Sequence, residues 1–215
     1  MLLIVGYDRG VIERYRAAFR KYGYPTFGCT LRGLNGFPYA DCVTSVLFPT
    51  PVSRQRTDYA LANIAKKLPN ALIAVCLNEE YTALDAAQNG AVSLTVPPKA
   101  RFPKLLSILR QGEHLYPEEA FRMGVYRDRF SEAPLFYARP FPVPLTATEY
   151  ALISLALLLP AGVSWELIRD SCFSLLREPC PNTVSATVSR LNKKMGVVMK
   201  HKFIAFDREC GYYIL

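Results

Sequence analysis

Short apolar runs alternate with helical stripes along the first 110 residues. LLIVG (Leu2–Gly6), CVTSVLF (Cys42–Phe48), ALIAVCL (Ala71–Leu77) and AVSLTV (Ala91–Val96) read as strands, and a weaker strand is expected at Thr26–Thr30. Between them, Val11–Gly23, Val52–Leu68 and the segment EEYTALDAAQ carry helical spacing, and RFPKLLSILRQ closes the series as a helix. In the second of these helices, Tyr59, Ala60, Ile64 and Leu68 are expected to face inward. After the second strand, LRGLNGF marks its helix poorly. Strands that are apolar on both faces and separated by helices imply a parallel sheet covered on both sides. Five such units in 110 residues fit a flavodoxin-like, doubly wound α/β domain.

The pattern then changes. Residues 111–145 are rich in Pro, Glu and aromatics; FRMGVYRDRF and LFYARPFPVPLT read as short strands. Helical order returns at Leu145, where Thr146 and Glu149 have capping-box spacing. The helix beyond them is apolar nearly all round, with Tyr150, Ile153, Leu157 and Leu158 on its main buried face. Pro160-Ala161-Gly162 breaks the chain, and Ser164 caps a second short helix carrying the one tryptophan. From Asn182, the expected N-cap, to Met195 two stripes run side by side. Val184, Val188, Leu191 and Met195 form an apolar face, while Thr183, Thr187, Arg190 and Lys194 form a polar one, widened by Ser185, Ser189 and Lys193. Gly196 is the expected stop. FIAF and YYIL, separated by DRECG, then read as a β-hairpin. Helix, helix, loop, helix, hairpin is the order of an α+β winged helix-turn-helix, which sets one helix in a DNA major groove.

Composition narrows the class. An apolar share of 51% with aromatics throughout supports packed cores. The opening MLLIVGYDRG lacks a basic leader region, and the longest apolar run, Tyr150–Val163, is too short to cross a membrane. Six cysteines without a C-x-x-C pair, and histidines only at 114 and 201, are poor material for zinc. A reduced, cytoplasmic protein is expected. The net charge of +8 is unevenly spread: residues 1–112 hold 14 Lys/Arg against 7 Asp/Glu, and residues 113–215 hold 12 against 11. Global charge is therefore weak support for nucleic-acid binding. Local charge is better support, because Pro179–Phe206 carries five Lys or Arg and no acid.

In a doubly wound sheet, chemistry belongs at the carboxyl ends of the strands. Gly6, Tyr7 and Asp8 follow the first strand, Cys76-Leu77-Asn78 end the fourth and Val96-Pro97-Pro98 the fifth. One carboxylate there cannot form the acidic cluster a hard cation needs. No glycine-rich phosphate loop is present either. No metal, cofactor or catalytic set is expected, and the chain does not read as an enzyme.

The carboxyl half resembles the OmpR/PhoB-type response regulators. LTATEY is similar to the start of that family's first winged-helix helix, VSWELI to its second, VSRLNKKMG to its recognition helix and DRECGY to its wing. The amino half resembles the receiver domain in strand order, but not in its active site. The acidic pair falls on Gly6 and Tyr7, with Asp8 a displaced remnant; the phospho-accepting aspartate falls on Val46 (or Ser45), the hydroxyl on Cys76 or Leu77, and the lysine on Pro97. The resemblance implies a degenerate receiver at residues 1–111, a linker at 112–120 and a winged-helix domain at 121–215. It implies duplex DNA as a partner, a homodimer through the receiver-like domain and contact with RNA polymerase. Thr183, Ser185, Thr187 and Arg190 would stand at the bases, Lys193, Lys194, Lys200 and Lys202 at phosphates, and Arg208 on the wing. Asn192 stands where an arginine is usual.

Regulation without aspartyl phosphorylation follows as an expectation, because the nucleophile and the carboxylates for its cation are missing. Two other readings stay open. The chain acts as a protein-interaction adaptor, with its winged helix a scaffold. Alternatively, Tyr7, Val46, Cys76 and Pro97 meet at the strand ends to bind a small ligand. A redox role for Cys76 has no basic neighbour in sequence to support it.

Overall fold

The computed structural model describes residues 1–112, 125–127, 134–138, 141–173, 180–196 and 202–215; of these, 110–112, 125–127, 134–138, 141–143 and 181 are described by backbone alone. The chain divides into two compact units, Met1–Ala18 with Phe27–Leu115, and Tyr116–Leu215 with Phe19–Thr26.

The first unit is built on a five-stranded parallel sheet. Strands β1 (Leu2–Gly6), β2 (Thr26–Thr30), β3 (Ser45–Phe48), β4 (Leu72–Cys76) and β5 (Leu94–Val96) lie in the order β2-β1-β3-β4-β5. This is the flavodoxin-like order. Every residue of β1 and β3 is buried, as strands covered on both faces require. Leu3 pairs with Val46, Val46 with Ile73, and Cys76 with Val96. Helices α1 (Arg9–Lys21), α2 (Arg54–Lys67), α3 (Ala83–Gln88) and α4 (Phe102–Gly112) alternate with the strands. Between β2 and β3 the chain makes two short 3-10 turns, Gly33–Gly36 and Ala40–Cys42, instead of a helix. Two glycines three residues apart, Gly33 and Gly36, without an apolar stripe cannot sustain more. On α2 the inward residues are Thr57, Ala60, Leu61 and Ile64. Tyr59 is 73% exposed, a correction to the expected face. The α2 stripe runs through Thr57 because its hydroxyl closes the preceding loop, donating to the Val52 carbonyl and accepting from the Val52 N–H.

In the second unit, β6 (Val125–Arg127), β7 (Pro134–Ala138) and β8 (Phe141–Pro144) form an antiparallel sheet, so LFYARPFPVPLT is two strands rather than one. Helix α5 (Ala147–Leu158) starts on the capping box expected from sequence: Glu149 N–H donates to Thr146 Oγ1 at 3.2 Å and Thr146 N–H to Glu149 Oε2 at 2.7 Å. Ser164 caps α6 (Trp165–Cys172) by accepting from Leu167 N–H. Helix α7 (Pro181–Met195) follows, then the hairpin β9 (Ile204–Asp207) and β10 (Gly211–Ile214). Val163 adds a rung to the hairpin by exchanging backbone bonds with Tyr212. Gly162 and Gly211 make that rung possible. Both have positive φ, and a side chain on either would run into the backbone of Cys210 or Val163.

Candidate functional site

Helix α7 begins two residues earlier than its sequence suggests. Proline at its first position carries no N–H to satisfy, so Cys180 is the cap and Asn182 lies exposed in the first turn. At the other end Gly196 stops the helix without entering the left-handed region. The buried arc is Val184, Thr187, Val188, Leu191 and Met195. The apolar stripe is therefore as expected, but its polar neighbour is not wholly outward.

Two packing partners explain the difference. On one flank, α7 meets the start of α5. Lys194 Nζ lies 2.7 Å from Glu149 Oε2, a carboxylate that is 3% exposed, and 3.4 Å from the Pro144 carbonyl. Thr187, 4% exposed, donates to the Thr183 carbonyl and accepts from Arg190. Thr183, Thr187, Arg190 and Lys194 thus line a recess of about 360 Å³ together with Thr146 and Glu149. Thr187 and Lys194, expected to face a ligand, are engaged inside the unit instead. Burial alone would raise the Glu149 carboxyl, but the hydrogen bonds from Lys194 and the Thr146 N–H outweigh it and hold the group below its ordinary value.

On the other flank, α7 meets the hairpin. Asn192 Nδ2 donates to the Ile204 carbonyl at 2.8 Å, and its Oδ1 accepts from Phe203 N–H at 3.0 Å and Ile204 N–H at 2.8 Å. An arginine could not make the last two bonds, since it has no acceptor. Asn192 is thus a fastening for the hairpin, which the sequence did not reveal. Ser185 is exposed, and its hydroxyl lies 3.2 Å from that of Tyr212 on β10.

What remains exposed on α7 is Asn182, Ala186, Ser189, Arg190 and Lys193, a face without an acid. Ser189 is its central polar residue. Lys202 and Arg208 are exposed on and before the hairpin; Lys200 and His201 lie outside the described residues. Arg208 sits in a turn fixed by Asp207, whose carboxylate accepts from the N–H groups of Glu209 and Cys210. The hairpin tip therefore carries two carboxylates beside one guanidinium.

The carboxyl edge of the parallel sheet is closed by its own side chains. Gly6 ends β1, and the Tyr7 hydroxyl donates to the Arg56 carbonyl, with its ring edge-on to Phe48. Asp8 accepts from Val11 N–H and so caps α1 rather than standing as part of an acidic cluster. Val46 lies inside β3, fully buried; the strand ends at Phe48. β3 starts at Ser45 rather than at the expected Cys42, with the same end. Cys76 ends β4, half-buried, while Pro97 is exposed beyond β5. Burial pushes the Cys76 thiol up to about 12, which removes its thiolate. Of the four residues expected at this edge, Val46 is fully buried, Cys76 half-buried, and Tyr7 and Pro97 exposed. Farther along the edge, Asn78 donates to the Pro51 carbonyl, and Tyr81 and Asn89 both donate to Asp58. In the two residues after each of β1, β3, β4 and β5, the one carboxylate is Asp8. No group of three His, Cys, Asp or Glu among the described residues is placed to hold a metal.

No protein-family model matches the chain, and no curated protein matches it. Among solved structures it is similar to the response regulator DrrB, a Thermotoga maritima OmpR/PhoB homolog. That match has 14% identity and a TM-score of 0.40 over 99% of this chain and 98% of that one. It is also similar to a structure described as a novel family of redox sensors in the streptococci evolved from two-component response regulators. Here the values are 13% identity and a TM-score of 0.39, over 100% and 99% of the two chains.

Proposed function

We propose that this chain is a sequence-specific, duplex-DNA-binding transcription regulator of response-regulator type, working as a dimer without aspartyl phosphorylation. In this reading, residues 1–111 are a degenerate receiver, 112–120 a linker and 121–215 a winged helix-turn-helix. The observation that carries it is the face of α7: Asn182, Ala186, Ser189, Arg190 and Lys193 are exposed together, acid-free, on a helix braced from both sides. Arg190 and Ser189 are assigned to base edges, and Ala186 suits a thymine methyl. Lys193, Lys202 and Lys200 take phosphates, and Arg208 stands on the wing. Lys194 leaves the list of phosphate contacts, since its charge is matched by Glu149. Thr187 leaves the list of base contacts, since its hydroxyl is used by Thr183 and Arg190. Ser185 and Thr183 flank the face.

The edge of the parallel sheet supports the phosphate-independent part. Tyr7 packs edge-on against Phe48 beside the end of β1, and Asp8 is committed to capping α1, which leaves no acidic cluster at the strand ends. Selection of bound sequences from a random duplex pool tests the reading. Enrichment of paired half-sites is expected, with no change on adding acetyl phosphate and Mg²⁺.

The adaptor reading is favoured by one observation: the hairpin tip, with Asp207 and Glu209 beside Arg208, is locally acidic. Arg190→Ala separates the two. Loss of regulation together with DNA affinity supports the regulator; loss of affinity with regulation intact supports the adaptor.

A further inference from the structure

The parallel-sheet unit has a groove that the DNA reading does not use. It has a volume of about 430 Å³ and is lined by Val11, Arg14 and Tyr15 of α1, Thr50 after β3, and Phe102 and Leu105 of α4. Small-molecule sites typically span ~300–1,000 Å³ and pair apolar walls with a few polar groups. Tyr15, half-buried, contributes an aromatic wall to the groove. Arg14 is the one charged residue in the lining.

The surroundings decide the sign of the ligand. Arg9 and Arg14 on α1, Lys99 before α4, and Arg101 and Lys104 around its first turn are all exposed. Residues 8–21 and 97–112 contain two acids, and both are engaged: Asp8 caps α1, and Glu13 pairs with Arg16 at 2.8 Å. An anion is drawn to this face, and a cation is repelled. We propose that the groove binds a small amphipathic organic anion, its apolar body between Val11, Tyr15, Phe102 and Leu105 and its carboxylate or phosphate against Arg14. The site differs from the strand-end pocket expected from sequence. It lies against the helices that cover the sheet, between α1 and the start of α4.

Calorimetric titration of the full chain, without DNA, tests this independently of the DNA reading. The probes are decanoate and 2-naphthoate, each against its neutral alcohol. One saturable site per chain is expected, with the anion bound at least tenfold more tightly than the alcohol. Arg14→Gln should remove that preference and leave alcohol binding unchanged. Ala18→Trp should abolish binding by filling the groove; Ala100→Trp, from another lining position, repeats the test if the first variant does not fold. Absence of saturable binding, equal affinity for anion and alcohol, or binding that survives a folded tryptophan variant would overturn the proposal. So would sedimentation with phosphatidylglycerol vesicles in the absence of binding to the free anions, which would identify a lipid surface instead.

Discussion

Asn192 of α7 and Ile204 of β9 exchange two hydrogen bonds, each 2.8 Å long, so that one amide side chain continues the edge of the hairpin onto the helix. Replacing it with alanine leaves the half-buried Ile204 carbonyl and two N–H groups unpaired, at a cost of about 1–3 kcal/mol. Asn192→Arg, the residue usual at this place in the response regulators that the sequence resembles, should destabilise to a similar extent rather than add a phosphate contact. Thermal melts of the two variants check this. An arginine variant as stable as the parent with tighter DNA binding would contradict it.

The Lys194–Glu149 pair should make stability depend on pH. Glu149 has its folded value below the ordinary 4.5, so its contribution is fully present above 4.5 and is lost as pH falls toward the folded value. Melts of the parent and Glu149→Gln should therefore differ most at neutral pH and converge in acid. Lys194→Ala should cost about 1–3 kcal/mol, at the low end because the lysine keeps part of its side chain in solvent. A pH-independent difference between parent and Glu149→Gln would contradict the assignment.

The sequence made these two flanks legible to different degrees. Thr146 and Glu149 announced the start of α5 by their spacing, and the strand order followed from runs such as LLIVG and ALIAVCL. The facing of α7 did not follow, because a helical stripe gives the direction of the main core and not the presence of a second contact beside it. Thr187 and Lys194 adjoin the apolar stripe on the side where α5 happens to start, and nothing in α7 encodes that. Asn192 was noticed only as a missing arginine, since its partners are backbone atoms eleven and twelve residues away. The start of β3 was set three residues too early because the apolar run reaches back to Cys42, while its end at Phe48 was legible from the prolines that follow.

Exposed residues of α7 should separate from engaged ones in function. Ser189→Ala and Arg190→Ala should each weaken specific DNA binding by about 1–3 kcal/mol with melting unchanged. Thr187→Val should leave affinity nearly intact, since its methyl groups remain in the buried arc. Fluorescence anisotropy on the selected duplex checks all three. Thr187→Val weakening binding more than Ser189→Ala would put the wrong side of the helix in the groove.

The cysteines should alkylate in a set order. Cys180 is exposed, and its hydrogen bonds with Thr183 hold the thiol below its ordinary value, whereas burial pushes Cys76 and Cys172 up to about 12 and Cys29 to about 11. Iodoacetamide labelling followed by mass spectrometry at neutral pH should find Cys180 modified first and Cys172 last. Early labelling of Cys76 would show that its burial does not shield it.

The central claim is that α7 and the hairpin hold duplex DNA, and the salt dependence of affinity tests it most directly. Lys193, Lys200 and Lys202 neutralise about three phosphates per subunit, so log K should fall against log salt with a slope of about −3 per bound subunit. Lys193→Ala should reduce that slope by about 1, while Lys194→Ala should leave it unchanged, because its charge is held by Glu149. A flat salt dependence, or a slope that drops for Lys194→Ala and not for Lys193→Ala, would contradict the account.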